Sequence, residues 1–126
     1  MRLLLDTHIF LWWLADDPKL RSVARAALAD PDSLIYVSAA SLWEIAIKSA
    51  LGKLAFEGDP LIEITGNGFQ ELPITGRHAL AAGQLPRHHD DPFDRMLAAQ
   101  SRLENLVLVS EDAALKEYGV PLFSVG

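Results

Sequence analysis

The stretch Arg2-Leu3-Leu4-Leu5-Asp6-Thr7-His8-Ile9-Phe10 decides the fold. Its three consecutive leucines predict a short strand that is buried on both faces, because such strands lack polar alternation. The apolar run Ile9–Leu14 predicts a helix, which ends at Asp16-Asp17-Pro18 because the backbone before proline disfavours helical geometry. A buried strand that leads directly into a helix is typical of a parallel α/β sheet.

The same alternation of short apolar runs and helical patterns continues along the chain. The predicted strands are Arg2–Leu5, Leu34–Val37, Phe69–Ile74, Leu106–Val109 and Pro121–Val125. The predicted helices are Ile9–Leu14, a second near 20–28, Ser41–Leu51, one opening at Asp59-Pro60, Thr75–Ala82, one opening at Asp91-Pro92, and Asp112–Tyr118. The second helix has apolar residues at the spacing of one helical face: Leu20, Val23, Ala24, Ala27 and Leu28. We therefore expect an α/β fold.

Length and composition restrict the class of protein. The chain has 126 residues, no cysteine, 50% hydrophobic residues and a net charge of −6, which predicts a single domain over 1–126. Without cysteine there is no disulfide, thiolate zinc site or cysteine nucleophile, and a cytoplasmic location is expected. No run approaches the roughly 18 apolar residues of a membrane span, and no secretory signal is evident. The acidic balance argues against holding nucleic acid by bulk charge.

Four acidic residues are expected at the carboxyl edge of the predicted sheet, where open parallel sheets bind their ligands. They are Asp6, Glu44, Asp94 and Asp112. If the first and fourth strands are neighbours, these carboxylates converge, and like charges at close range require a counter-ion. A metal site in which every ligand atom is oxygen selects a hard ion such as Mg²⁺ or Mn²⁺. Such ions commonly use a few carboxylates together with substrate phosphates, which indicates chemistry on a phosphodiester.

Helix capping is the competing interpretation of these acids. Ser41 and Glu44 have the spacing of a capping box, and Asp91 can cap a helix that carries Asp94 in its first turn. Asp6 is different, because it interrupts an apolar stretch in which an unpaired charge is costly. A phosphotransfer domain would need a second acid one or two positions after Asp6, where the chain has Thr7 and His8. A non-catalytic binding module, in which the acids only cap helices, stays open.

Four segments, in this order and spacing, resemble the successive motifs of PIN domains, and most closely those of VapC-type toxins from bacterial toxin–antitoxin pairs. The segments are Leu4–His8, Ser41–Ile45, Asp91–Gln100 and Leu108–Asp112. Each motif is weak alone, but the ordered set covers essentially the whole chain. The resemblance implies a three-layer α/β/α fold with parallel strands in the order 3-2-1-4-5.

The resemblance also implies an activity: a Mg²⁺- or Mn²⁺-dependent endoribonuclease that leaves 5′-phosphate and 3′-hydroxyl ends. The implied partners are an RNA substrate, a second copy of the chain in a homodimer, and a VapB-like antitoxin that holds the toxin inactive. The implied catalytic residues and metal ligands are Asp6, Glu44, Asp94 and Asp112, with Thr7 and Ser110 as supporting residues. Asp91 is an alternative to Asp94 as the third acid. A nuclease outside any toxin–antitoxin pair is an alternative function.

Some other residues carry weaker expectations. Arg95 and Lys48 are candidates for contact with RNA phosphates, although a surface ion pair is an equally good role for Arg95. His88-His89 is expected to lie in a solvated loop rather than at a metal. The tryptophans are candidates for base stacking or, more commonly, for a core or protein interface; they are Trp12, Trp13 and Trp43. Because Ile9–Leu14 is apolar all round, we expect a partner to cover its outer face.

Overall fold

The computed structural model describes residues 1–87, 90–119 and 122–124. Five parallel strands form one sheet in the order β3-β2-β1-β4-β5, which confirms the predicted order 3-2-1-4-5. The strands are β1 (Arg2–Leu5), β2 (Leu34–Ser38), β3 (Gln70–Leu72), β4 (Val107–Ser110) and β5 (Leu122–Ser124). The ends of the fifth predicted strand, 121 and 125, and the predicted loop His88-His89 lie outside the described residues.

Helices cover both faces of the sheet. They are α1 (Thr7–Ala15), α2 (Ser22–Ala29), α3 (Ala39–Ala50), α4 (Pro60–Gly66), α5 (Gly76–Gln84), α6 (Pro92–Glu104) and a 3₁₀ helix (Ala113–Tyr118). Leu3 and Leu5 of β1 point into one core, which α1 to α4 cover. Leu4 points into the other core, which α5, α6 and the 3₁₀ helix cover. The architecture is therefore the expected three-layer α/β/α sandwich.

Several helix ends follow from capping residues in the sequence. Asp59 and Asp91 each accept a hydrogen bond from a backbone N–H of the helix that they precede, and a proline begins both helices. Asp16 ends α1 in the left-handed conformation. Gly52 follows α3 with φ +71°, a conformation that glycine adopts without strain.

The structure corrects four local predictions. The helix α3 begins at Ala39 with Ser38 as its cap, so the predicted capping box between Ser41 and Glu44 is wrong. Val23, predicted on the apolar face of the second helix, is 67% exposed, because α2 begins only at Ser22 and Val23 lies in its first turn; Ala24 and Leu28 of that face are buried as predicted. The helix α5 continues through Gly83 to Gln84. The last predicted helix is a 3₁₀ helix.

The outer face of α1 is partly covered by the chain itself. Residues 11–14 are half-buried and pack against the core. The Trp13 indole N–H donates to Asn67 Oδ1 at 3.0 Å, and its ring lies 5.9 Å from that of Phe69. Trp43 is 62% exposed, with its ring edge-to-face on Phe93. Within the described residues no helix combines the length and the apolar character needed to cross a membrane.

Candidate active site

Asp6 is the buried acid of the site, only 5% exposed at the end of β1. Its Oδ1 accepts the backbone N–H of Ile9 at 3.1 Å, which caps α1, and its Oδ2 accepts the Ser110 hydroxyl at 2.6 Å. Burial raises the pKa of Asp6 above its ordinary value, and these two hydrogen bonds oppose the rise. A carboxylate held here is therefore costly unless a cation is nearby.

Glu44 lies on α3 and is also 5% exposed. Its Oε1 accepts the Thr7 hydroxyl at 2.6 Å, and its Oε2 accepts from Lys48 Nζ at 2.6 Å. The hydrogen bond to Glu44 raises the pKa of Lys48, with smaller contributions from the charges of Asp91 and Asp94. Lys48 therefore lies in the combined field of acids from α3 and α6.

Three further acids lie near this edge of the sheet. Asp112 follows β4, and Asp91 and Asp94 lie at the start of α6. Asp91 accepts the backbone N–H groups of Phe93 at 2.8 Å and Asp94 at 3.3 Å, so it is the helix cap. The Ser110 hydroxyl oxygen accepts the backbone N–H of Asp112 at 3.0 Å. Ser110 thus links the carboxylate of Asp6, which follows β1, to the backbone of Asp112.

A cavity of about 330 Å³ brings these side chains together at the carboxyl edge of the sheet. Its lining residues are Asp6, Thr7, His8, Glu44, Lys48, Asp91, Asp94, Glu111 and Asp112. The lining includes all four acids predicted as ligands. The sequence analysis missed Glu111, although its position beside Asp112 is an available signal.

The donor chemistry of the cavity fits a hard divalent cation. Six carboxylates line it, together with one lysine and one histidine. Carboxylates bind metals through oxygen atoms, which hard ions prefer. Among the residues that the structure describes, no three acids or histidines are already gathered into a metal-binding group. The carboxylates of Asp6 and Glu44 are instead engaged by neighbouring side chains, including the ammonium of Lys48.

Arg95 does not line this cavity. Its guanidinium donates to the carbonyls of Ala82, Leu85 and Pro86 at the end of α5. This arrangement gives Arg95 a structural role and does not support the predicted contact with RNA. Of the two basic residues proposed for that contact, Lys48 is the one that faces the acids.

The parallel sheet and the acids at its carboxyl edge define the class of protein. The family model of the PIN domain matches residues 3–121, so the chain belongs to the PIN domain family. This finding confirms the resemblance noted from the motifs.

Other proteins are similar to this chain in sequence or in fold. The chain is 29% identical over 121 residues to Ribonuclease VapC22 of Mycobacterium tuberculosis (strain ATCC 25618 / H37Rv), covering 94% of this chain and 92% of that protein. Its fold is similar to VapBC2 from Rickettsia felis, solved with a promoter DNA fragment (TM-score 0.73, 16% identity, all of both chains). It is also similar to VapBC-1 from nontypeable Haemophilus influenzae (TM-score 0.68, 20% identity, 98% of both chains).

Proposed function

We propose that this protein is a metal-dependent endoribonuclease of the VapC type, the toxin of a toxin–antitoxin pair. The main support is the cavity lined by six carboxylates at the carboxyl edge of a PIN-domain sheet. The similarity to a protein named Ribonuclease VapC22 supports RNA as the substrate.

The residues proposed to hold the metal are Asp6, Glu44, Asp94 and Asp112, with Mg²⁺ or Mn²⁺ as the ion. Such an ion, when bound, supplies an acidified water for attack on phosphorus and stabilises the charge on the phosphoryl oxygens. Its positive charge would also reduce the repulsion between an acidic protein and RNA, because it would offset part of the charge of the carboxylates.

The chain's own polar side chains orient the acids. Ser110 holds Asp6 and Thr7 holds Glu44, each through a hydrogen bond of 2.6 Å, so both carboxylates have a defined direction before any ligand arrives. Oriented, partly desolvated charges of this kind need little rearrangement during reaction. Lys48 is proposed to contact a phosphate at the rim, since its side chain is 40% exposed.

The identity of the third acid is proposed as Asp94. The Oδ1 of Asp91 accepts two backbone N–H groups as the cap of α6. Asp94 lies in the first turn of that helix and also lines the cavity. Comparing Asp91→Asn with Asp94→Asn tests this assignment. The larger loss of Mn²⁺ affinity is expected for Asp94→Asn, and the reverse order would favour Asp91.

The proposed partners are a VapB-like antitoxin and a second copy of the chain as a homodimer. The solved relatives from Rickettsia felis and Haemophilus influenzae are named as VapBC assemblies, which supports the antitoxin. A ribonuclease that acts on cellular RNA is expected to work in the cytoplasm.

The test is cleavage of end-labelled RNA by the purified protein with Mg²⁺ or Mn²⁺, and with the metals chelated. We expect fragments with 5′-phosphate ends, loss of cleavage on chelation, and loss of cleavage in Asp6→Asn. Asp59→Asn is the matched control, because Asp59 also caps a helix but lies outside the acid cavity.

Two results would redirect the proposal. Absence of Mn²⁺ binding even at millimolar ion would favour a non-catalytic binding module. Cleavage in the test tube without growth arrest on expression would favour an RNA-processing nuclease outside a toxin–antitoxin pair.

A further inference from the structure

Arg95 follows Asp94 directly, yet its guanidinium binds the end of another helix. Nη2 donates to the carbonyls of Ala82 and Leu85, both at 3.0 Å, and Nη1 donates to that of Pro86 at 3.1 Å. The last carbonyls of a helix have no partner within it, and a cation is favourable at that end. The first turn of α6 is thereby tied to the end of α5.

The same guanidinium reaches the segment that follows β4. Its Nη1 donates to the Tyr118 hydroxyl at 3.4 Å. Tyr118 is 4% exposed and ends the 3₁₀ helix that begins directly after Asp112. Arg95 therefore joins the segment that carries Asp91 and Asp94 to the segment that begins beside Asp112.

We propose that Arg95 is a positioning residue for the acid cavity. It holds the first turn of α6 against α5 and Tyr118, and so fixes where Asp91 and Asp94 lie relative to the acids from the strands. This inference rests on the proposed metal-dependent function of the cavity. It replaces the interpretation of Arg95 as a contact for RNA, because the guanidinium is directed to main-chain carbonyls.

Lysine cannot reproduce this arrangement. The planar guanidinium offers five donors in a rigid fork, and two of its nitrogens here serve three carbonyls and a hydroxyl. An ammonium on a flexible stem is a point charge that reaches fewer of these acceptors. The substitution Arg95→Lys therefore tests geometry while keeping the charge.

The first experiment measures Mn²⁺ binding by calorimetric titration and RNA cleavage under steady-state conditions for Arg95→Lys and Arg95→Ala. We expect Mn²⁺ affinity and kcat to fall about 10- to 100-fold. This range is typical of residues that orient metal ligands without binding the metal themselves. The KM for RNA should change little, because Arg95 is not proposed to touch RNA. Arg102→Lys and Arg102→Ala are the matched controls, since Arg102 is an exposed arginine on the same helix.

The second experiment adds guanidinium at millimolar concentration, far below what unfolds proteins. It should restore part of the Mn²⁺ affinity of Arg95→Ala by occupying the vacated site beside the carbonyls. Arg102→Ala should not respond. If Arg95→Ala does not fold, the Mn²⁺ titration of Arg95→Lys decides the matter.

Three results would overturn the inference. A lower melting temperature with unchanged Mn²⁺ affinity would make Arg95 a purely structural residue. A raised KM with unchanged kcat and Mn²⁺ affinity would make it a contact for RNA. Absence of Mn²⁺ binding by the unaltered protein would overturn the proposed function and this inference together, whereas normal binding by Arg95→Ala would overturn the inference alone.

Discussion

The cluster of polar side chains around His78 and the acid cavity differ in how their polar groups are paired. In the cluster around His78, Nδ1 accepts the backbone N–H of Thr75 at 3.1 Å, and Nε2 lies 2.8 Å from Glu104 Oε2. Both ring nitrogens of His78 therefore have partners, in a complete capping box between α5 and its preceding loop. Beside them, the buried Gln100 has its Nε2 3.3 Å from His78 Nδ1, while its Oε1 has no hydrogen-bond partner among the described residues. In the acid cavity, carboxylates outnumber cations. Paired polar groups stabilise a fold, whereas like charges at close range favour the binding of a counter-ion.

Removing the central acid should produce the largest effect. Asp6→Asn is expected to lower kcat for RNA cleavage by roughly 100- to 1,000-fold, because a positioned charge at the reacting centre is lost. Circular dichroism should show an intact fold, since Asn caps helices as well as Asp does. Undiminished metal-dependent cleavage by this variant would contradict the proposed site.

A change in the cluster around His78 should have the opposite outcome: the protein should lose stability and keep its catalytic activity. His78→Ala removes the ring that binds Thr75 and Glu104, and we expect the free energy of unfolding to fall by about 1–3 kcal/mol. Urea denaturation measures this change, and kcat per folded molecule should stay the same. Leu80→Ala, at a position 68% exposed on the same helix, is the control and should change stability little.

Asp6 should also make the stability of the protein depend on pH. Because burial raises the pKa of Asp6, its charged form costs stability once the pH exceeds the folded-state pKa, and the cost disappears below the unfolded value. Asp6→Asn should therefore stabilise the metal-free protein at pH 7. The advantage should vanish near about pH 4. Denaturant midpoints of the two proteins at both pH values test this, and a constant difference would contradict it.

The smallest effect is expected for Lys48→Met. The ion pair with Glu44 is 40% exposed on the lysine side, so its loss should cost no more than about 0.5 kcal/mol of stability. Mn²⁺ affinity should rise a few-fold, because the ammonium no longer competes for the Glu44 carboxylate. Calorimetric titration of the variant against the unaltered protein measures the change. Weaker Mn²⁺ binding would mean that Lys48 helps to assemble the cavity.

The strand pattern and the buried acid were predictable from local sequence. Leu3-Leu4-Leu5 has no polar alternation, and Asp6 interrupts an apolar stretch, so both the central strand and the first candidate ligand are evident without tertiary information. Asp59-Pro60 and Asp91-Pro92 marked two helix starts for a similarly local reason. The order of the strands came from the family resemblance, since local pattern does not specify which strands pair.

Two of the errors concern contacts between distant parts of the chain. Glu44 has the spacing of a capping box, but its carboxylate is occupied by Thr7, which lies 37 residues earlier. Arg95 is next to an acid in sequence, yet its partners are carbonyls of α5 and the hydroxyl of Tyr118. Spacing along one helix cannot reveal such partners, because they depend on how the helices pack.

The hydrogen bond between Ser110 and Asp6 has a consequence for biosynthesis. It joins residues 104 positions apart, and β1 acquires its neighbour β4 only after most of the chain has been made. A ribosome translating this message therefore carries a growing polypeptide whose first acid has no serine to orient it. The proposed nuclease site is therefore incomplete until β4 has been synthesised and has paired with β1.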